Sequence, residues 1–262
     1  MNFWVTVSQY PKRIVSLVPS QTEFLFDIGL HDRVIGITNY CVHPKEWAQT
    51  KIRIGGPKDF SIDAIRLLNP DLIIANKEEN NQDKILLLKK YYPVWISDVR
   101  SVQHAFDMMT RIGEMVKKTK ETSEIITKCH HNFQRIQPIS KPLRVVYLIW
   151  RNPYMTINHD TFIHDMLTSC GFLNCFANET SRYPIITDDK LRNAKPDLVI
   201  LPSEPFPFSQ RHVDEIRSII PKSRFFLVKG EMFSWYGSRM IKFVPYVNKL
   251  IRAWQNQNGS IL

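Results

Sequence analysis

From Arg13 to Val18 the chain is apolar at almost every position, the pattern of a strand buried on both faces of a parallel sheet. Pro19-Ser20-Gln21-Thr22-Glu23 follows, and Ser20 with Glu23 has the spacing of a capping box that opens a helix. That helix carries Phe24, Leu25 and Ile28 and stops at Gly29, a residue suited to the left-handed position after a helix. A second strand is predicted over Val34 to Ile37, leading to Tyr40. Ser61 can cap a helix through Leu68, and Asn69-Pro70 ends it before a strand from Asp71 to Ala75. Val94 to Ile96 continues the alternation. This is βαβ material, so the expected architecture is a parallel sheet with helices on both faces.

Between Pro93 and Pro138 there is no proline, and the only glycine is Gly113. Apolar residues recur at helical spacing through Val102, Ala105, Phe106, Met109, Ile112 and Val116, then through Ile125, Cys129, Phe133 and Ile136. One helix of about 35 residues would be roughly 50 Å long. The alternative is a hairpin of two helices broken near Lys117–Lys120. The polar stretch from Lys117 to Ser123 holds no good turn chemistry, so a single span over 101–137 is expected.

After Pro142 the pattern restarts. Leu68-Asn69-Pro70-Asp71-Leu72-Ile73-Ile74 matches Ala194-Lys195-Pro196-Asp197-Leu198-Val199-Ile200, 126 positions later. At the same offset Ser61 meets Thr187, Asp63 meets Asp189 and Glu78 meets Glu204. Arg13 to Val18 resembles Arg144 to Ile149, 131 positions later. Such offsets are too long for a solenoid repeat. They indicate two similar α/β lobes, residues 1–100 and 138–262, with the helix between them.

Composition narrows the picture. A chain of 262 residues with 44% hydrophobic and 23% charged residues is an ordinary globular protein. No apolar run reaches the roughly 18 residues of a membrane-spanning helix. The net charge of +10 admits nucleic acid, an anionic surface or an anionic ligand. Its basic residues are scattered, however, so a solvated basic surface and no nucleic-acid partner are expected. Cys41, Cys129, Cys170 and Cys175 form no CxxC, and free, mostly buried thiols favour a reducing compartment. The opening MNFWVTVSQYPKR shows no export signal, which reads as cytoplasmic if it is the native start.

Two α/β lobes would place the loops after their strands at a shared cleft. In the first half those loops read Asn39-Tyr40, Lys58-Asp59-Phe60 and Lys77-Glu78-Glu79-Asn80. In the second they read Trp150-Arg151-Asn152-Pro153-Tyr154-Met155, Ser203-Glu204-Pro205-Phe206 and Glu231-Met232-Phe233-Ser234-Trp235-Tyr236. Aromatics flanked by Arg, Lys and Glu suit a flat, polar-rimmed ligand, rings on its faces and charges at its edge.

Other chemistries find less support. There is no HExxH, and the adjacent His130 and His131 point in different directions on a helix. His159 and His164 are five apart and read as solvated or packed. A direct metal-ion receptor, with His43, Glu204 and Glu231 contributing, is one alternative. The absence of GxGxxG, Walker A and GxSxG argues against standard dinucleotide, ATP or hydrolase chemistry. A small-molecule enzyme using the same cleft is the other alternative.

Taken in order, KRIVSLVPSQTEFLFDIGL, GITNY, LNPDLIIANKEEN, KPDLVILPSEP and EMFSWYGSRM resemble the class III ABC-transporter substrate-binding proteins. Within them, the cobalamin-binding proteins and the helical-backbone metal receptors are the nearest in look, from about Lys12 to Trp254. The resemblance implies two Rossmann-like lobes joined by a single long backbone helix. It implies no chemical step and no covalent cofactor, with a metal chelate (corrinoid, haem or ferric siderophore) bound in the cleft. An ABC permease partner, a monomer, and a periplasmic or membrane-associated location are implied as well. By motif position Tyr40 resembles an aromatic corrinoid contact, and Tyr183 sits where the family places an aromatic in the second lobe. Met155 and Pro57 replace aromatics, departures that weaken cobalamin more than the class. Asp63 and Asp189 fall where the family carries two surface glutamates that dock on permease arginines; first-turn helix stabilisation is the equal alternative.

Composition and resemblance together give one expectation for the cleft. Tyr40, Trp150, Arg151, Tyr183, Phe206, Trp235 and Tyr236 line the opening, and Glu78, Glu204, Arg182 and Glu231 form its polar rim. Lys58, Phe60, Tyr154 and Met155, from the same loops, complete the ligand-binding set.

Overall fold

In the computed structural model, which describes residues 10–139 and 141–256, the first apolar run becomes strand β1 (Ile14–Ser16), buried at every position. Helix α1 (Pro19–Asp27) begins with Pro19 inside its first turn, where a missing N–H costs nothing. The helix therefore starts one residue before Ser20, and the Ser20–Glu23 capping box does not form. Gly29, at φ +79°, ends it: its N–H bonds the Phe26 carbonyl at 2.8 Å and the Leu30 N–H bonds Leu25 at 3.1 Å, a Schellman motif.

Strands β2 (Val34–Ile37), β3 (Ile52–Arg53), β4 (Leu72–Asn76) and β5 (Val94–Ser97) complete a five-stranded sheet in the order β3-β2-β1-β4-β5. Every pairing in it is parallel. Helices α2 (Lys45–Thr50), α3 (Ile62–Leu68) and α4 (Gln82–Leu88) lie between these strands in the chain. Ser61 caps α3 as its spacing predicts, its hydroxyl accepting from the Ala64 N–H at 3.1 Å. Ile65, Leu68, Ile85 and Leu88 close α3 and α4 onto Val15, Leu17, Ile73 and Val94. Shedding this apolar surface from water is the main stabilising term.

The segment expected as one continuous helix over 101–137 is two helices, α5 (Val102–Met115) and α6 (Thr119–Phe133). A second Schellman motif separates them. The Lys118 N–H reaches the Gly113 carbonyl at 2.7 Å, the Lys117 N–H reaches Glu114 at 3.3 Å, and Lys117 takes φ +52°. A lysine in the left-handed region costs about 1–2 kcal/mol and carries none of glycine's signal, which is why the sequence favours the single span over the broken alternative. Just beyond the turn, in the first residues of α6, the Thr122 side chain stands so close to Gly113 that a Cβ there would clash with its hydroxyl.

The second parallel sheet, in the order β11-β10-β6-β8, is built from β6 (Leu143–Tyr147), β8 (Phe172–Asn174), β10 (Leu198–Pro202) and β11 (Arg224–Val228). Strands β7 (Tyr154–Met155) and β9 (Ile185–Ile186) pair antiparallel beside it. Helices α7 (Phe162–Ser169), α8 (Asp188–Ala194), α9 (Gln210–Ile219), α10 (Glu231–Ser234) and α11 (Met240–Gln255) complete this half.

The internal repeat is a repeated set of bonds. Asp71 accepts the backbone N–H groups of Lys12 and Arg13 at 2.7 and 2.8 Å, and Asp197 accepts that of Arg144 at 2.8 Å. The Arg13 guanidinium donates to the Leu68 carbonyl at 2.5 Å, and Arg144 does the same to Ala194 at 2.7 Å. Thr187 caps α8 as Ser61 caps α3, and Asn69 and Lys195 end the two helices at φ +42° and +45°.

Two compact units result. The first gathers the described residues through Val99 with Gln103–Cys129 and Trp235–Arg239; the second takes Arg100–Val102, His130–Ser234 and the chain from Met240. The helical segment is thus divided between the units rather than standing apart. Gly113→Ala, usually stabilising in a helix, should here cost about 2 kcal/mol from overpacking against Thr122. Thermal unfolding should show a Tm lower by about 4–8 °C; an unchanged or raised Tm would contradict the contact.

Candidate functional site

Because its strands are parallel, the first sheet releases the loops after β2, β3 and β4 at one edge, and hydrogen bonds tie these loops together. The Asn39 N–H donates to the Gly55 carbonyl at 2.8 Å, and Asn80 Nδ2 donates to Pro57 at 3.0 Å and Leu17 at 3.2 Å. Lys58 Nζ donates to the Glu78 carbonyl. A Cβ on Gly56 would clash with the Asp59 carboxylate, so glycine there lets Asp59 close on the loop, and the Tyr40 ring passes the same point at 3.4 Å. Tyr40, Lys58 and Glu78 are therefore brought together, with Tyr40 65% exposed.

Phe60, expected on the same loops, is fully buried in the core with Val15 and Leu17. It anchors the loop from beneath and offers no face to a ligand. Trp235 and Tyr236 also depart from expectation: both belong to the first unit and are buried. Arg239, 3% exposed on its side chain, donates from Nε to Glu23 Oε2 at 2.6 Å and from Nη2 to Oε1 at 2.8 Å. Its guanidinium lies 5.0 Å from the Trp235 ring centroid, and His43 meets the same ring edge-on at 5.7 Å. The Tyr236 hydroxyl donates to Glu79 at 3.0 Å, and burial, reinforced by that carboxylate, drives its pKa well above the ordinary tyrosine value. Gly237, at φ +98°, approaches Phe24 closely. The sequence showed an aromatic segment but not the buried ion pair that turns it inward.

At the corresponding edge of the second sheet, Trp150 follows β6 and is 43% exposed. Phe206, from the loop after β10, meets its ring edge-on at 5.7 Å. Phe208 and His212 back Phe206 at 4.8 and 5.2 Å. Arg151, expected to meet a ligand, instead grips Glu215 on α9, Nε to Oε1 at 3.1 Å and Nη2 to Oε2 at 2.7 Å. The Tyr154 hydroxyl donates to the same carboxylate at 2.6 Å. The Arg151 bond holds the Glu215 pKa low, while burial and Glu215 push Tyr154 up. Met155 pairs with Ile185 and bridges back to Trp150, partly buried.

Arg182 lies 4.0 Å from Asp160, which also receives Arg100 at 3.0 Å, and its guanidinium stands over the Tyr183 ring at 5.8 Å. Glu204 accepts from the Ser234 hydroxyl at 3.1 Å, and Gly230 packs directly against it, which brings the start of α10 and Glu231 alongside. Asp63 and Asp189 sit in the first turns of α3 and α8, 88% and 85% exposed, each paired with the arginine three residues on. Among the described residues no group of three or more His, Cys, Asp or Glu is placed to hold a metal ion. The four cysteines are free, and all but Cys175 are buried.

Sequence reasoning missed Glu215 and His212. Their three-residue spacing puts them on one face of α9, but nothing local marks a carboxylate whose partner lies 64 positions away. His212 takes the place of Glu or Gln in a capping box, its Nδ1 accepting the Ser209 N–H at 2.9 Å. Burial first, then Arg211 and Arg151, lower its pKa, with Glu215 opposing. The neutral ring is the form that folding favours. Its stabilisation is complete above the unfolded value of about 6.5 and is lost as pH falls through the lowered one.

Residues 14–218 match the sequence profile of the periplasmic binding proteins, and the chain belongs to that family. It is 28% identical over 207 residues to YvrC of Bacillus subtilis, an uncharacterized ABC transporter substrate-binding lipoprotein. That match covers 75% of this chain and 65% of the relative, so this chain spans slightly less than two thirds of its length. The fold is shared with the periplasmic vitamin B12-binding protein BtuF of Vibrio cholerae, at TM-score 0.74 and 18% identity over 94% of this chain and 99% of that one. It is shared equally with the periplasmic heme-binding protein RhuT from Roseiflexus sp. RS-1, at TM-score 0.76 and 16% identity over 92% and 97%.

Two outcomes test these placements. Trp235→Ala should cost about 3–5 kcal/mol in denaturant unfolding, as a buried indole does; a stability unchanged from wild type would return Trp235 to the surface. His212→Gln, which can accept the same amide, should flatten the fall in Tm between about pH 7 and pH 5. A fall as steep as in wild type would separate His212 from that acid sensitivity.

Proposed function

We propose that the protein is the substrate-binding component of an ABC transporter and carries a metal chelate: a corrinoid, haem or a ferric siderophore. One observation supports this above the others. On the scaffold of a binding-protein family, each unit presents an exposed aromatic at the carboxyl edge of its parallel sheet: Tyr40 in the first, and Trp150 braced by Phe206 in the second. Such faces give contact area at little entropic cost and suit a flat ligand. Lys58, Glu78, Arg182, Tyr183, Glu204 and Glu231 supply the polar contacts around it. Arg151 and Tyr154 contribute only indirectly, since both are committed to Glu215. No chemical step is involved.

Asp63 and Asp189, equivalent in the repeat and almost fully exposed, are the proposed contacts for permease arginines. The protein acts as a monomer, outside the membrane or at its surface. Among the described residues no helix is long and apolar enough to cross a bilayer.

Hemin, cyanocobalamin and a ferric siderophore are titrated separately, with visible difference spectra and tryptophan fluorescence as readouts. One of them should shift its band and quench emission with 1:1 stoichiometry. Trp150→Ala should weaken that binding about tenfold with Tm within about 2 °C of wild type. A folded protein that binds none of them, and instead retains a metal ion through desalting or turns over a substrate, would overturn the proposal.

A further inference from the structure

We infer that Glu215 is a positioning residue for the ligand: without touching it, its carboxylate holds the Trp150 ring in binding orientation. The inference rests on the reading of Trp150 as a ligand face. Trp150 opens a short hairpin with little support of its own. Inside it the Ile149 N–H donates to Met155 at 2.9 Å and the Met155 N–H donates to Trp150 at 3.2 Å; β7 adds only a two-residue pairing with β9. A ladder this short is marginal.

Glu215 supplies the missing restraint from α9. It takes Arg151, the neighbour of Trp150, in bidentate fashion, and takes the Tyr154 hydroxyl from the returning arm at 2.6 Å. One carboxylate thus ties both arms of the hairpin to a helix whose own face is anchored in the core by Val213 and Ile216. One turn earlier on that face, His212 packs edge-on against Phe206, the ring that abuts Trp150. Loop aromatics bind weakly when free to rotate, because ordering them consumes binding free energy. A helix that fixes both rings has met that cost during folding. The same geometry removes Arg151 from direct recognition, so this wall meets the flat face of the ligand and not its anionic groups.

The test uses the full chain with Glu215→Ala and the isosteric Glu215→Gln, and hemin and cyanocobalamin as probes. Glu215→Ala should weaken whichever probe binds by about tenfold. In a Trp150→Phe background the same change should cause little further loss, because the effect runs through the indole. In the unliganded protein Glu215→Ala should increase acrylamide quenching of the emission that Trp150→Phe removes, with Glu215→Gln in between. Equal losses with and without Trp150, or unchanged quenching, would overturn the inference. If wild type binds neither probe, the ferric siderophore titration decides the chelate proposal, and the quenching result still decides the role of Glu215.

Discussion

The loops that could meet a ligand are placed by bonds made at the other end of the strands. Parallel strands have no tight turn to set their register, so something else must. Here it is an aspartate at the start of β4 and another at the start of β10, each accepting backbone N–H groups where its neighbour strand begins. The arginine that opens the neighbour strand then closes on a helix-end carbonyl, where the helix dipole favours a positive charge. Slip either clamp by one residue and every side chain leaving the carboxyl edge changes face.

This explains why the repeat was the most readable part of the chain. Pro-Asp-Leu recurs because each of its residues acts locally: proline ends a helix, aspartate accepts amides, and leucine starts a buried strand. Gly29 was readable for the same reason, since the left-handed turn it makes is one glycine advertises. Lys117 makes the identical turn with no such mark, and the break near Lys117–Lys120, weighed from the sequence, lost to the single span. Phe60 and Trp235 failed differently. Composition identifies an aromatic residue in a loop, but whether it faces water depends on partners far away in sequence, and Glu23 lies 216 positions from Arg239.

The candidate site shows the same division. Tyr40 and Trp150 are exposed rings beside strand ends, and that much was legible because position after a buried strand is a local property. The charges were harder. Arg151 is spent on Glu215, while Arg182 and Arg100 share Asp160. Lys58, Arg151, Arg182 and Arg100 each hold a loop through a bond of this kind.

The buried pair of Glu23 and Arg239 also bears on how the chain comes off the ribosome. Glu23 is made 216 residues before Arg239, yet they share one core. A nascent first unit must carry a carboxylate destined for burial before its Arg239 partner has been made. Burying that charge alone is unfavourable by several kcal/mol. The first unit is therefore held short of its final packing while the second is being made, and a fragment cut before residue 235 would lack a piece of its own interior. Two units in space are, in assembly order, one folding event.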